Sequence, residues 1–219
     1  MPEKIFQIAV DGPSGAGKST VAKAVAVKLG IDYIDTGAMY RALGLKLLRL
    51  NVAMDQVDKI REVLEDTEID ICQGKIILDG EDVSGLIRTP EVSMAASACS
   101  AHSFVREKLV KAQQKMGESK SVIMDGRDIC EVVFPNAEYK YYVTATDEER
   151  ARRRHKELIG KGEETTFEET LAAIRERDYN DSHRAASPLR QAEDAYLLDT
   201  TEMTIDQVVD FICGRVKQS

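Results

Sequence analysis

A chain of 219 residues suffices for one well-cored α/β domain with a modest insertion and falls short of two independent domains. Its 30 basic against 38 acidic residues leave a net charge of −8, so the protein as a whole has no electrostatic reason to bind a nucleic acid polymer or an anionic membrane, and small phosphorylated ligands at a local basic site fit better. No apolar run approaches the ~20 residues of a membrane span. Cys72, Cys99, Cys130 and Cys213 form no C-x-x-C pair, which disfavours a zinc site or a redox dithiol and fits reduced thiols in a cytoplasmic protein.

Residues 1–4 lead directly into the apolar run 5–10, an expected buried strand. Gly12-Pro13-Ser14-Gly15-Ala16-Gly17-Lys18-Ser19-Thr20 follows and fits G-x-x-x-x-G-K-[ST]; Val21, Ala24, Val25 and Leu29 then recur at helical spacing. Strand, loop and helix in that order give the motif its mechanism. Glycines curl the backbone so that N–H groups point at phosphate oxygens, and the helix presents its positive N-terminal end to the same anion. Lys18 can reach the β- and γ-phosphates of a nucleoside triphosphate, and the Ser19 hydroxyl can help to hold Mg²⁺.

Gly30 is placed to cap that helix, and residues 31–35 read as a short strand. Thr36-Gly37 opens a second helix, with Met39, Leu43, Leu47 and Leu50 as its buried stripe. Arg41, off that stripe, forms with Thr36 either a second phosphate site or a solvated helix charge. A third helix from Asp55 carries Val57, Ile60 and Leu64 on one face. Residues 69–71 alternate, Gln73-Gly74 is a candidate hairpin turn, 75–78 read as a second strand, and Asp79-Gly80 turns again; this hairpin is out of rhythm with a parallel sheet, so 67–88 reads as an insertion. Thr89-Pro90 starts a helix with Val92, Ala95, Ala96 and Cys99 inward and Ser97 on a different side. Ser103 is the expected cap of the next helix, which holds Arg106 near its start and buries Val105, Leu109, Ala112 and Met116 before Gly117.

Residues 121–125 form the next core strand and end in Asp125-Gly126-Arg127-Asp128. Ligands bind beyond the carboxyl ends of parallel strands, so this cluster is either a metal-orienting and phosphate-bridging group or a polar turn. Residues 139–145 are another strand, and Thr146-Asp147-Glu148-Glu149 is a capping box. In the helix that follows, Arg150 and Arg154 share a face and either converge on one anion or pair with neighbouring glutamates. Thr166-x-x-Glu169 caps a further helix whose Arg177, Asp181 and Arg184 share a face; Ser187-Pro188 stops it. Residues 196–198 are the last strand, and Thr204 begins a closing helix with Ile205, Val208, Ile212 and Val216 inward. About five core strands alternating with helices predict a parallel, doubly wound α/β sheet. His102, His155 and His183 lack metal spacing.

With Ile34-Asp35-Thr36-Gly37-Ala38-Met39-Tyr40-Arg41, Asp79-Gly80-Glu81-Asp82-Val83-Ser84, Ile87-Arg88-Thr89-Pro90-Glu91-Val92, Asp125-Gly126-Arg127-Asp128, Val133-Phe134-Pro135 and Glu176-Arg177-Asp178 in this order, the chain resembles the bacterial-type cytidylate kinases of the nucleoside monophosphate kinase group over essentially its whole length. The resemblance implies the P-loop NTPase fold as a single domain over 1–219: a five-stranded parallel sheet flanked by helices, a hairpin-containing monophosphate-binding insertion at 67–105 and a mobile helical lid at 146–165. It implies transfer of the γ-phosphoryl group of ATP, with Mg²⁺, to CMP or dCMP. By the family's pattern Gly12 to Thr20 bind ATP, and Lys18, Arg127, Arg150, Arg153 and Arg154 serve the transferring phosphate. Thr36, Arg41, Arg127 and Arg184 look like the monophosphate clamp, Ser97, Arg106 and Asp128 like the cytosine readers, and Arg177 and Asp181 like the sugar contacts. Thr36 stands where the family often has serine, keeping the hydroxyl with fewer rotamers. A monomer is expected. A regulatory GTPase would need an N-K-x-D or T-K-x-D motif, which the sequence lacks; a conformational ATP switch leaves the acceptor-side arginines without a task, and a P-loop kinase of another small acceptor is the remaining rival.

Overall fold

The computed structural model describes residues 5–72 and 74–217, without the side chains of Cys72 and Lys217. Residues 1–4 and Gln73, to which parts of the N-terminal and hairpin-turn expectations refer, lie outside the described residues. The chain divides into two compact units, one made of Met1–Tyr33 with Ser119–Ser219 and the other of Ile34–Glu118.

The first unit is organised on a parallel five-stranded sheet. Strand β1 (Gln7–Asp11) leads through the glycine-rich loop into α1 (Lys18–Leu29), and β2 is Asp32–Asp35. Later come β6 (Val122–Asp125), a π-helical turn (Ile129–Val133), β7 (Tyr139–Thr144), α6 (Asp147–Gly160), α7 (Phe167–His183), β8 (Tyr196–Asp199) and α8 (Ile205–Lys217). The sheet order is β2-β6-β1-β7-β8, which puts the strand before the glycine-rich loop at the centre. Val10 pairs with Asp125 on one side and Tyr141 on the other, so the ends of β1 and β6 are level. Asp125 therefore emerges beside the start of that loop, as ligand binding beyond parallel strand ends requires. Ile8, Val10, Val21, Val25, Ile123, Val143 and Ile212 form the core, each worth roughly 1.5–3 kcal/mol of burial.

The second unit holds α2 (Thr36–Arg49), α3 (Val57–Glu65), the three-stranded antiparallel sheet β3 (Ile69–Cys72), β4 (Lys75–Leu78) and β5 (Glu81–Asp82), then α4 (Pro90–Cys99) and α5 (Ser103–Met116). It begins at Ile34, well before the expected insertion. Gly44 of α2 lets α4 approach closely: a Cβ there would stand 2.9 Å from the Ala96 nitrogen. Met39, Leu43, Leu47, Ile60, Leu64, Val105 and Leu109 pack together, while Ala38, Ile76, Leu78, Val83, Ile87 and Val92 form a second cluster.

Several expected details differ, each at an element end. Leu50 lies past the last turn of α2 and is 53% exposed, and Val57 and Ile205, at the first positions of α3 and α8, are also exposed because their helices turn inward one turn later. His102, not Ser103, occupies the cap position of α5, with no side-chain capping bond. Thr146 accepts the Glu149 N–H at 3.3 Å, but the Glu149 carboxylate is engaged by Arg152 and Arg153. The reciprocal box does form at Thr166 and Glu169. Among the described residues no helix is long and apolar enough to cross a membrane.

Candidate active site

The glycine-rich loop is forced by its surroundings as much as by its sequence. Gly12 has φ 145°, and a Cβ at this position would stand 1.9 Å from the Val143 carbonyl oxygen. Only glycine lets the chain turn away from β7 there. Gly17, at φ 84°, closes the loop and begins α1, so the helix N-terminus is directed at whatever the loop holds.

Lys18 is buried, and its Nζ donates to the Pro13 carbonyl oxygen at 2.8 Å. Burial, assisted by the Arg127 charge, pulls its ammonium down to about 7. An incoming polyphosphate acts in the opposite direction and favours the charged form. Next to it, the Ser19 hydroxyl donates to Asp125 Oδ2 at 2.9 Å, while the Tyr33 phenol donates to Asp125 Oδ1 at 2.7 Å. An alcohol oxygen and a carboxylate brought together at a phosphate loop are the hard oxygen donors that Mg²⁺ prefers, so these residues fit that ion.

Asp11 anchors the chain behind this site. Its two carboxylate oxygens accept the N–H groups of Ile129 and Cys130, each at 2.8 Å, which fixes the turn that follows Asp128. Burial pushes the Asp11 carboxyl up to about 6, with those two hydrogen bonds acting against it. Asp128 is itself buried and adds its charge to the same raising effect.

The arginines separate into distinct roles. Arg127 Nε donates to Asp181 Oδ2 at 2.7 Å, and Arg184 Nη1 lies 3.8 Å from Asp181 Oδ1. Burial works against the Asp181 charge, yet Arg127 and Arg177 together hold its carboxyl below the usual carboxylate range. Arg127, Arg177, Asp181 and Arg184 are thus one electrostatic cluster; the helical spacing places Arg177, Asp181 and Arg184 on one face, and Arg127 joins them from just past the end of β6. Arg153 donates to Thr200 and pairs with Glu149, and a Cβ on Gly17 would stand 3.9 Å from its Nη1, so its guanidinium borders the loop. Arg150 and Arg154 have separate partners. Arg150 is buried against Asp147, Asp178 and the carbonyl oxygens of Ser14 and Ala145, whereas Arg154 pairs with Glu157 at 2.8 Å.

The second unit carries a charged cluster at the start of α2. Asp35 caps the helix by accepting the Ala38 N–H at 3.0 Å; Arg88 Nη2 lies 2.9 Å from its Oδ2 and Arg41 Nη1 lies 3.9 Å from its Oδ1. Thr36 is the first residue of the helix and is buried. The Arg106 guanidinium lies over the Tyr40 ring at 5.4 Å, and its Nη1 donates to the Ser100 carbonyl oxygen at 3.5 Å. Ser97 is half-buried on α4, and its carbonyl accepts the Ser100 hydroxyl at 2.8 Å.

Sequence reasoning did not single out Tyr33 or Asp11, and it assigned no task to Asp178. It quoted Asp35 and Arg88 without giving them one. Asp11 closes a strand and Asp35 precedes a helix, positions that mark capping carboxylates. Tyr33 carried no such signal.

The cytidylate kinase family model matches residues 8–218. This chain belongs to the cytidylate kinase family. A cytidylate kinase of Caldicellulosiruptor saccharolyticus is 53% identical to it over 94% of this chain and 93% of its own length. Another, from Ligilactobacillus salivarius, is 46% identical over 98% of each chain. Among solved structures, an unliganded sugar kinase from Janibacter superposes with a TM-score of 0.51 at 13% identity, covering 98% of this chain and 95% of that one. An Acinetobacter baumannii shikimate kinase gives a TM-score of 0.50 at 13% identity, covering 99% of this chain and 96% of that one. At such identities these structures bear on the fold alone, which they share with this family member.

Proposed function

We propose that this cytidylate kinase family member transfers the γ-phosphoryl group of ATP to CMP or dCMP with the residues just described in specific roles. The observation that carries the reading is the hydrogen bond from Ser19, at the start of α1, to Asp125 at the end of β6, beside the buried Lys18 of the same loop, in a chain that the family model matches almost throughout. A phosphate oxygen of the monophosphate attacks the γ-phosphorus, the bond to the bridging oxygen breaks, and ADP departs with that electron pair. The acceptor is its own nucleophile, so the protein contributes positioning and charge.

In this reading Gly12 to Thr20 cradle the triphosphate and Lys18 neutralises its outer phosphates. Ser19 and Asp125 hold Mg²⁺, which supplies charge neutralisation on the phosphate oxygens when bound. Arg127 and Arg153 stabilise the charge that spreads over the transferring group. Arg154, in the proposed mobile lid at 146–165, joins them when the lid closes. Thr36, Arg41, Arg127 and Arg184 bind the acceptor phosphate, Ser97, Arg106 and Asp128 read cytosine, and Arg177 and Asp181 contact the sugar; 67–105 is the monophosphate-binding insertion. The enzyme works as a cytoplasmic monomer; among the described residues Cys99, Cys130 and Cys213 are buried and form no disulfide, the state that a reducing compartment keeps.

Single-turnover analysis with γ-labelled ATP, Mg²⁺ and CMP, beside ATP alone, tests the reading. Label is expected in CDP with little free phosphate, and UMP and shikimate should accept far less. Label that stays in ATP, or leaves only as phosphate, refutes the acceptor assignment.

A further inference from the structure

Ser14 of the phosphate loop is gripped on both sides of its peptide framework by one ion pair drawn from elsewhere in the first unit. Its N–H donates to Asp178 Oδ1 at 3.0 Å, and its carbonyl oxygen accepts from Arg150 Nη1 at 2.8 Å. Asp178 and Arg150 pair with each other through Oδ2 and the same Nη1. Arg150 is fixed further by donation from Nε to the Ala145 carbonyl at 3.0 Å and by its pair with Asp147. The next loop residue is held just as closely. A Cβ on Gly15 would stand 3.0 Å from the Arg150 carbonyl oxygen and 3.3 Å from Ile174 Cδ1, so α6 and α7 both press on the loop.

We infer that Asp178, acting with Arg150, is a positioning residue for the phosphate loop: it fixes the Ser14 peptide so that the amides from Gly15 to Ser19 are set in advance for a triphosphate. The inference rests on the proposed reading of the loop as the ATP site. Three features support it. A loop rich in glycine loses much conformational entropy on ordering, and a grip at one non-glycine residue bears that cost before the ligand arrives. The grip is built from charge-assisted hydrogen bonds at a largely desolvated site; the Arg150 side chain is only 5% exposed and that of Asp178 20%. Finally, α7 carries Arg177 and Asp181 beside Asp178, so the helix proposed to contact the acceptor sugar is the helix that holds the donor loop.

Asp178→Ala and Asp178→Asn test it, because asparagine keeps an acceptor for the Ser14 N–H and removes the charge that faces Arg150. The expected result is a rise in the KM for ATP of about tenfold for alanine and a smaller rise for asparagine, with the KM for CMP within about twofold of wild type. Calorimetric titration with a non-hydrolysable ATP analogue should show the same order. If the alanine variant does not fold, the asparagine variant is read on the same split between ATP and CMP. Equal movement of both KM values in step with a fall in Tm would make Asp178 merely structural and overturn the inference, as would an unchanged KM for ATP. The two failures are separable: a wild-type protein that does not bind the analogue refutes the ATP-site reading, whereas wild-type and variant proteins that bind it equally refute only the role of Asp178.

Discussion

Replacing Gly12 by alanine tests the idea that backbone contact shapes the phosphate loop. The new Cβ would stand 1.9 Å from the Val143 carbonyl oxygen and 3.0 Å from its carbon, so the loop or β7 must retreat by at least about 1.5 Å to reach an ordinary contact of 3.4 Å. Neither neighbour is a flexible side-chain tip. β7 is hydrogen-bonded on both sides, to β1 and β8, so the loop has to give. The φ of 145° adds strain of about 1–3 kcal/mol for a residue with a side chain, and overpacking adds a further ~1–3 kcal/mol. A total near 3 kcal/mol corresponds to a fall in Tm of roughly 6–12 °C for a chain of this size. Thermal melts followed by circular dichroism, beside coupled-assay kinetics, measure both consequences: the lower Tm and a KM for ATP raised by more than tenfold. Gly30→Ala is the control, since Gly30 also has positive φ (69°) but no atom within 4 Å of its would-be Cβ, and it should cost only about 1 kcal/mol. A Gly12→Ala protein that melts and binds ATP like the Gly30→Ala protein would refute the steric argument.

Tyr33→Phe removes the phenol that orients Asp125 and should raise the Mg²⁺ concentration for half-maximal rate by about tenfold at fixed ATP; an unchanged Mg²⁺ titration would show that the hydrogen bond orients nothing that matters. Asp128→Ala should erode the preference for CMP over UMP by on the order of tenfold in kcat/KM, and preserved selectivity would remove Asp128 from the base site. The Asp11 carboxyl should titrate near 6 in carboxyl ¹³C NMR of the folded protein. Because its folded pKa is raised from 3.8 to about 6, its contribution to stability is fully present below 3.8 and is lost as the pH rises to about 6, amounting to about 3 kcal/mol. Urea denaturation across that range should therefore show the stability of wild type relative to Asp11→Asn falling by about 3 kcal/mol, and a constant difference between the two proteins would contradict the raised pKa.

The sheet and the loop were legible because both are local signals. The apolar runs at 5–10 and 121–125 are short and bounded by turn signals, which favours buried strands, although Ile5 is exposed and precedes β1; glycines followed by Lys18 and Ser19 after such a strand point to phosphate. Helix ends were read less well, since Leu50, Val57 and Ile205 continue an apolar pattern beyond the turn at which packing stops, and periodicity carries no information about where a neighbour ends. The pairing of charges was least legible. Arg150 and Arg154 share a helical face, yet Arg154 finds Glu157 within its own helix, a local pairing that the sequence allows, while Arg150 finds Asp178 on α7 and the Ser14 backbone 136 residues away.

That contrast bears on how a kinase of this kind uses its many arginines. An exposed pair such as Arg154 with Glu157 contributes little to stability and leaves the guanidinium free to exchange its partner for a phosphate at small cost. For a buried one such as Arg150 that exchange costs more, because it would leave Asp178 and the Ser14 carbonyl desolvated and unpaired. Sequence spacing puts these two arginines on one helical face, and burial separates them: Arg154 pairs within its own helix, whereas Arg150 pairs with α7 and the loop. Arg153 lies between the two in burial, half-buried on Thr200 and Glu149 at the border of Gly17, so its exchange of partners would cost an intermediate amount.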